Sequence, residues 1–180
     1  FLPGTDEHPL NMDIAIHPTK LILNDTIWNP NPAKIEIDTG IVSIKNFEIR
    51  GDSQYLSING RASNTDQDSV KLTLNDIDLD YIFGSLNIKN VTFGGRATGD
   101  FIATNFSDIP IMSTEKFEVK NFSYNDAPIG DLNLFSRWDN ENKGILLQGK
   151  ISQPDVPDTQ IKGHIFPTGD SLSLYFDTHK

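Results

Sequence analysis

The chain has 180 residues, of which 37% are hydrophobic, with 25 Asp and Glu against 15 Lys and Arg and no cysteine. A net charge of −10 without any basic stripe excludes the electrostatic footprint of a nucleic-acid binder or of a protein that docks on anionic membranes. Without Cys there are no disulfides or thiolate metal sites, and no run of about 18 apolar residues offers a membrane-spanning helix.

The opening Phe1-Leu2-Pro3-Gly4 lacks both an initiator Met and the regions of a signal peptide, so the sequence reads as a piece cut from a longer parent. Period-two alternation then dominates, the mark of half-buried strands. Met12, Ile14 and Ile16 alternate with polar or small residues, and Leu21 and Leu23 resume after His17-Pro18. Ile35 and Ile37 lead into the turn Asp38-Thr39-Gly40, and Val42 and Ile44 leave it. Leu56 and Ile58 run to Gly60, and Val70, Leu72 and Leu74 follow a polar turn. Over residues 78–84 the spacing of Leu79, Ile82, Phe83 and Leu86, with Asp78 as N-cap, predicts one short helix; an irregular connection is the alternative.

Gly94, Gly95 and Gly99 follow. They lack the Lys-Ser/Thr of a phosphate-binding loop and are followed by strand-like sequence, so they mark bulges, bends or close backbone approach within a sheet. Beyond the turn Asn125-Asp126-Ala127-Pro128 come Leu132 and Leu134, then Ile145, Leu147 and Ile151, and lastly Leu172, Leu174 and Phe176. The fold class is therefore all-β with one short helix. Residues 1–180 read as a single β-rich fragment, with a possible local break at 153–159 around Pro154 and Pro157.

A loose internal repetition runs through these strands. Ile44-Lys45-Asn46-Phe47, Ile88-Lys89-Asn90-Val91 and Val119-Lys120-Asn121-Phe122 each place apolar residues three apart around Lys-Asn. Ile58-Asn59-Gly60-Arg61, Leu147-Gln148-Gly149-Lys150 and Ile161-Lys162-Gly163-His164 form a second set. Uneven spacing rules out a strict-period array, but degenerate strand repeats still point to one extended sheet with function spread along a surface.

Motifs with chemistry are scarce. His8, His17, His164 and His179 share no metal-ligand spacing, and His164 is expected on the wet face of its strand. Asp76, Asp78 and Asp80 are spaced as in a calcium loop, yet Tyr81 and Asn87 stand where that loop needs Gly and Glu. There is no G-x-S-x-G elbow. Trp28 and Trp138 would make a sugar platform if exposed; packing in a core or at a sheet edge is the plainer expectation. These readings predict a protein that is no enzyme and holds no cofactor or metal.

From Ser69 to Ile151 the sequence resembles the repeat region of the translocation and assembly module (TamB) family, within the AsmA-like group, in its Bacteroidetes form. The resemblance is carried by Val70-Lys71-Leu72-Thr73-Leu74-Asn75-Asp76-Ile77-Asp78-Leu79-Asp80-Tyr81-Ile82-Phe83 and by Ile88 to Gly99. Phe117 to Tyr124, Ile129-Gly130-Asp131-Leu132-Asn133-Leu134 and Trp138 to Ile145 continue it. Residues 11–68 match in style alone. The resemblance implies a Gram-negative envelope parent with an inner-membrane helix, absent here, and a periplasmic body shaped as a curled β-sheet trough, the β-taco. It further implies a part in phospholipid transport between inner and outer membranes, or in outer-membrane assembly with a barrel partner.

Leu72, Leu74, Leu132, Leu134, Ile145 and Leu147, on the cleanest alternating faces, are the expected lining for phospholipid acyl chains. Each buried CH₂ of a bound chain would contribute roughly 0.8 kcal/mol. The alternatives are that these residues fill a closed sandwich core, and that the chain is an extracytoplasmic β-sandwich binding carbohydrate or protein. Exposed strand edges also predict some self-association.

Overall fold

The structure, a computed structural model, describes residues 11–23, 26–65, 67–80, 92–106, 110–168 and 171–179, with the backbone alone described along 167–179. The fold is all-β and antiparallel. Its strands are β1 (Met12–Ile16), β2 (Leu21–Leu23), β3 (Thr26–Pro30), β4 (Ala33–Asp38), β5 (Ile41–Gly51), β6 (Gln54–Ala62) and β7 (Val70–Asp78). They continue as β8 (Phe93–Thr104), β9 (Ile111–Tyr124), β10 (Ala127–Asp139), β11 (Gly144–Gln153), β12 (Val156–Thr168) and β13 (Ser171–His179). Of the helix expected over 78–84, Leu79 and Asp80 are helical, and the residues beyond lie outside the described ones.

The chain divides into two compact units, Phe1–Leu74 with Phe101–Ile111, and Asn75–Asp100 with Met112–Lys180. The expected break at 153–159 is not one of these boundaries. It is a tight hairpin inside the second unit, where Gln153 pairs with Val156 across Pro154-Asp155 and Asp155 takes φ +61°. Pro157 lies within β12 beside a register shift, where a missing N–H interrupts no regular ladder.

In the first unit the order β1-β4-β5-β6-β7 hides a simpler plan. Ile16 pairs with Ala33 and Leu21 with Trp28, as one unbroken antiparallel ladder would place them. Pro30 meets Ile49 and Lys34 meets Lys45 in a single register too. β1 with β2 is thus one strand interrupted around Pro18, and β3 with β4 one strand interrupted at Asn31-Pro32. Proline removes a donor and opens the ladder, and the two interruptions fall opposite each other. Below them Trp28 is 4% exposed, its ring over Gly51, where an added Cβ would lie 3.0 Å from Trp28 Cδ2.

The second unit follows the order β7-β8-β9-β10-β11-β12-β13. Leu79, Ala97, Val119 and Leu132 form its sealed centre, ringed by Phe93, Phe117, Phe122, Leu134, Ile151 and Ile161. Val119, 1% exposed, is the centre of this group, and Phe93 stacks on Phe122 with ring centroids 6.1 Å apart.

The repeated strings acquire a physical meaning. Asn46 and Asn121 take the left-handed φ values +57° and +52°. Each sits at a register shift, between Ile44 and Phe47 in one case and beside Phe122 in the other. A bulge adds one residue, so apolar side chains three apart land on the same face instead of opposite faces. Asn tolerates this backbone better than any residue but Gly. The freed N–H of Asn46 donates to Asn59 Oδ1 at 2.6 Å, and that of Asn121 to Asp131 Oδ1 at 2.9 Å.

A third copy is Leu74-Asn75-Asp76-Ile77, with Asp76 at φ +53° and its N–H donating to Thr98 Oγ1 at 3.0 Å. It lacks the Lys-Asn pair that marks the other copies; Ile88 to Val91 lie outside the described residues. Each bulged strand precedes a strand with a glycine at large positive φ: Gly60 (+136°), Gly95 (+124°) and Gly130 (+129°). A Cβ on Gly95 would lie 2.7 Å from Val119 Cγ1 and 2.8 Å from Lys120 O, so close approach as well as dihedral demands glycine. The second set of strings mixes two cases. Gly60 belongs to the bulge device, whereas Gly149 has an ordinary φ and is held by its contact with Asn133 O and Leu134.

Candidate functional site: the apolar face of each unit

Because bulges and proline breaks restore the phase of each strand, nearly all large apolar side chains of a unit gather on one face. In the first unit the pairings align Met12, Ile37 and Val42 in one row, and Ile14, Ile35 and Ile44 in the next. Beyond the bulge, Phe47 and Ile49 continue that face opposite Ile58 and Leu56. Few of these side chains are sealed. Trp28, Ala33, Ala62 and Leu74 are buried, most of the others are half-buried, and Met12 and Ile14 are 42% and 38% exposed.

The second unit repeats the arrangement. Leu132 faces Val119 and Ile151, and Leu134 faces Phe117 and Gly149. Trp138, Ile145 and Ile165 form a further row on the same side, next to Ser136, Leu147 and Gly163. Leu132, Leu134, Ile145 and Leu147 therefore share one face of the second unit, while Leu72 and Leu74 belong to the first. Leu74 and Leu132 are sealed in their cores. Leu72, Leu134, Ile145 and Leu147 keep solvent contact. Among the described residues no second sheet covers either face.

The opposite faces are charged and internally paired. Lys34 reaches Asp13 at 3.5 Å and Glu36 at 2.5 Å, and Lys45 reaches Glu36 at 2.7 Å. Hydrogen bonds from Lys34 and then Lys45 hold the Glu36 carboxyl at about 2, and the bond to Glu36 raises Lys34. Arg50 meets Glu48 and lies over the Tyr55 ring, 4.9 Å from its centroid. In the second unit Lys150 bonds Asp158 at 2.7 Å and lowers its pKa.

The remaining candidates resolve into structural roles. Asp76 makes two bonds to the Arg96 guanidinium, at 3.0 and 2.7 Å, and Asp78 accepts from the backbone N–H of Asp80. These carboxylates do not converge, and no group of three potential metal ligands exists among the described residues. His164 stands on the face opposite Ile145 and Ile165, as expected, but is more enclosed than a wet position implies. Its side chain is 17% exposed, with Nε2 3.1 Å from Asp139 Oδ2 and the ring stacked on Phe166. The turn after β10 explains this, because Asp139 also accepts from Asn142 and Glu141; Asn142 first and His164 second hold its carboxyl well below the usual range. No hydroxyl bonds to His164 among the described residues, so the pair fastens a turn to β12. Trp28 is buried, in line with the plainer expectation of core packing, and Trp138 sits on the apolar face of the second unit.

Comparison with protein-family models, with curated proteins and with solved structures finds no match. No helix among the described residues is long and apolar enough to cross a membrane, which says nothing of a barrel.

Proposed function

We propose that this chain is a non-enzymatic segment of a TamB-like, periplasmic envelope protein whose apolar sheet faces hold phospholipid acyl chains in transit between membranes. One observation carries the reading: each unit gathers most of its aliphatic side chains on a single face, Leu146 being an exception on the opposite face of the second unit, and leaves most of them in partial contact with solvent. A sandwich core would seal them. An acyl chain laid on such a face would gain roughly 0.8 kcal/mol per buried CH₂, and the scarcity of polar groups there leaves it free to slide. The resemblance over Ser69 to Ile151 supports the same function, including work beside an outer-membrane barrel partner by the whole parent.

The test is lipid capture. A photo-crosslinking amino acid placed at Leu147 or at Ile37 should form adducts with phospholipid in cells, and native mass spectrometry of the purified chain should find bound phospholipid. With the crosslinker placed at Ile145 instead, the charged substitution Leu147→Arg should abolish the adduct while the far-ultraviolet circular dichroism stays unchanged. Absence of lipid from both experiments overturns the proposal.

A further inference from the structure

The polar face of the second unit contains a site that the lipid reading does not use. A shallow depression of about 330 Å³ lies over β10 and β11, with Phe135, Asn133, Gln148 and Gln160 in its lining. Phe135 stands directly opposite Gln148, while Asn133 is opposite Lys150, which is in turn opposite Gln160. The volume falls at the low end of the range for small-molecule sites.

Two features distinguish this spot from an ordinary wet sheet face. Several long polar side chains of the charged faces are paired with one another: Lys34 with Glu36, Asn31 with Glu48, Arg50 with Glu48, Lys150 with Asp158. The side-chain amides of Asn133, Gln148 and Gln160 instead make no hydrogen bond among the described residues. Each retains a donor and an acceptor side by side. Phe135 is a large aromatic side chain, only half-buried, on a face that it shares with the buried Leu146 and with the charged residues.

From these residues we infer that the polar face of the second unit binds a neutral oligosaccharide. Vicinal hydroxyls of a pyranose match the paired donor and acceptor of a planar amide, and the apolar C–H face of the ring stacks on an aromatic side chain. Within the lining of the depression, charge disfavours an anionic ligand; Arg137 and Lys162, on the same face, lie outside that lining. Lys116 is engaged by Glu118 at 3.0 Å and Lys150 by Asp158 at 2.7 Å, while Glu115 adds an unneutralised carboxylate to the rim. An extended peptide fits poorly, because the backbone donors and acceptors of β10 and β11 are committed to neighbouring strands on both sides. The ligand has to bring its own hydrogen-bonding groups around an apolar face, which is what a sugar does.

Calorimetric titration of the full chain with cellotetraose, maltotetraose and chitotetraose, alongside anionic tetragalacturonate, tests this. At least one neutral tetrasaccharide should bind saturably with a millimolar or tighter dissociation constant. The double substitution Asn133→Ala, Gln148→Ala should weaken that binding by about tenfold or more. Phe135→Leu, which keeps an apolar side chain but no ring face, should weaken it by a similar factor. The inference is overturned if no neutral tetrasaccharide binds, if tetragalacturonate binds more tightly than all of them, or if the amide substitutions leave affinity unchanged. Lipid capture on the opposite face is scored separately, so either proposal can fail alone.

Discussion

Gly94 and Gly95 are neighbours in β8, yet an alanine should cost very different amounts at the two positions. Gly95 takes φ +124°, and its new Cβ would lie 2.7 Å from Val119 Cγ1 and 2.8 Å from the Lys120 carbonyl oxygen. A non-glycine residue held in that backbone region costs about 1–3 kcal/mol. Displacing a sealed valine and a ladder carbonyl adds about 1–3 kcal/mol more. Gly95→Ala should therefore destabilise the second unit by about 2–6 kcal/mol, a large part of the stability of an ordinary domain. At Gly94 the new Cβ meets Ser123 Oγ at 2.5 Å and nothing else within 3.9 Å. A serine hydroxyl can change rotamer, so Gly94→Ala should cost about 1 kcal/mol or less. Urea unfolding in a Trp28→Phe background, where Trp138 fluorescence reports on the second unit alone, measures both. Losses equal within about 0.5 kcal/mol would refute the argument that backbone geometry sets the cost at Gly95.

Other substitutions test the remaining links. Asn121→Gly should be tolerated and Asn121→Val should lose about 1–2 kcal/mol, because a β-branched residue cannot take φ +52° without strain; the same fluorescence assay reads it. Val119→Ala should cost about 2–3 kcal/mol from lost methyl burial plus the cavity left among Leu79, Ala97 and Leu132. Glu36 has a folded pKa of about 2, below its ordinary 4.5, so the stabilisation it provides is present above pH 4.5 and lost as pH falls through about 2. Glu36→Gln should accordingly lower the melting temperature near neutral pH, with the gap to the native protein closing at about pH 2 and narrowing in high salt.

Much of the fold is visible in period-two alternation. Met12 to Ile16, Val70 to Leu74 and Ile145 to Ile151 lie in β1, β7 and β11, where one face is apolar throughout. Of the glycines in β8, Gly95 and Gly99 are points of close backbone approach, one of the readings the sequence offers, whereas Gly94 meets only the Ser123 side chain. Alternation fails where the chain changes phase. Nothing in Leu74-Asn75-Asp76-Ile77 looks like Ile44-Lys45-Asn46-Phe47 until both are seen to carry a left-handed residue in the third place. Phase also decides which side chains share a surface, so Leu74 and Leu72 read as equivalents of Leu132 and Leu134 although they fall in a different unit. His164 falls on the expected face, and what was not legible is its enclosure. Its burial depends on the turn around Asp139, a tertiary contact 25 residues away that no local pattern encodes. The amide group around Phe135 was equally illegible, because Asn133, Gln148 and Gln160 come together only through pairing of three strands.

The left-handed Asn and Asp residues bear on how such a sheet changes over evolutionary time. A bulge absorbs one extra residue without turning the rest of its strand inside out, so a neighbouring insertion can be corrected locally instead of by rewriting the whole strand. Hairpins of different length can therefore keep one apolar face, as the unequal gaps between Asn46, Asp76 and Asn121 illustrate.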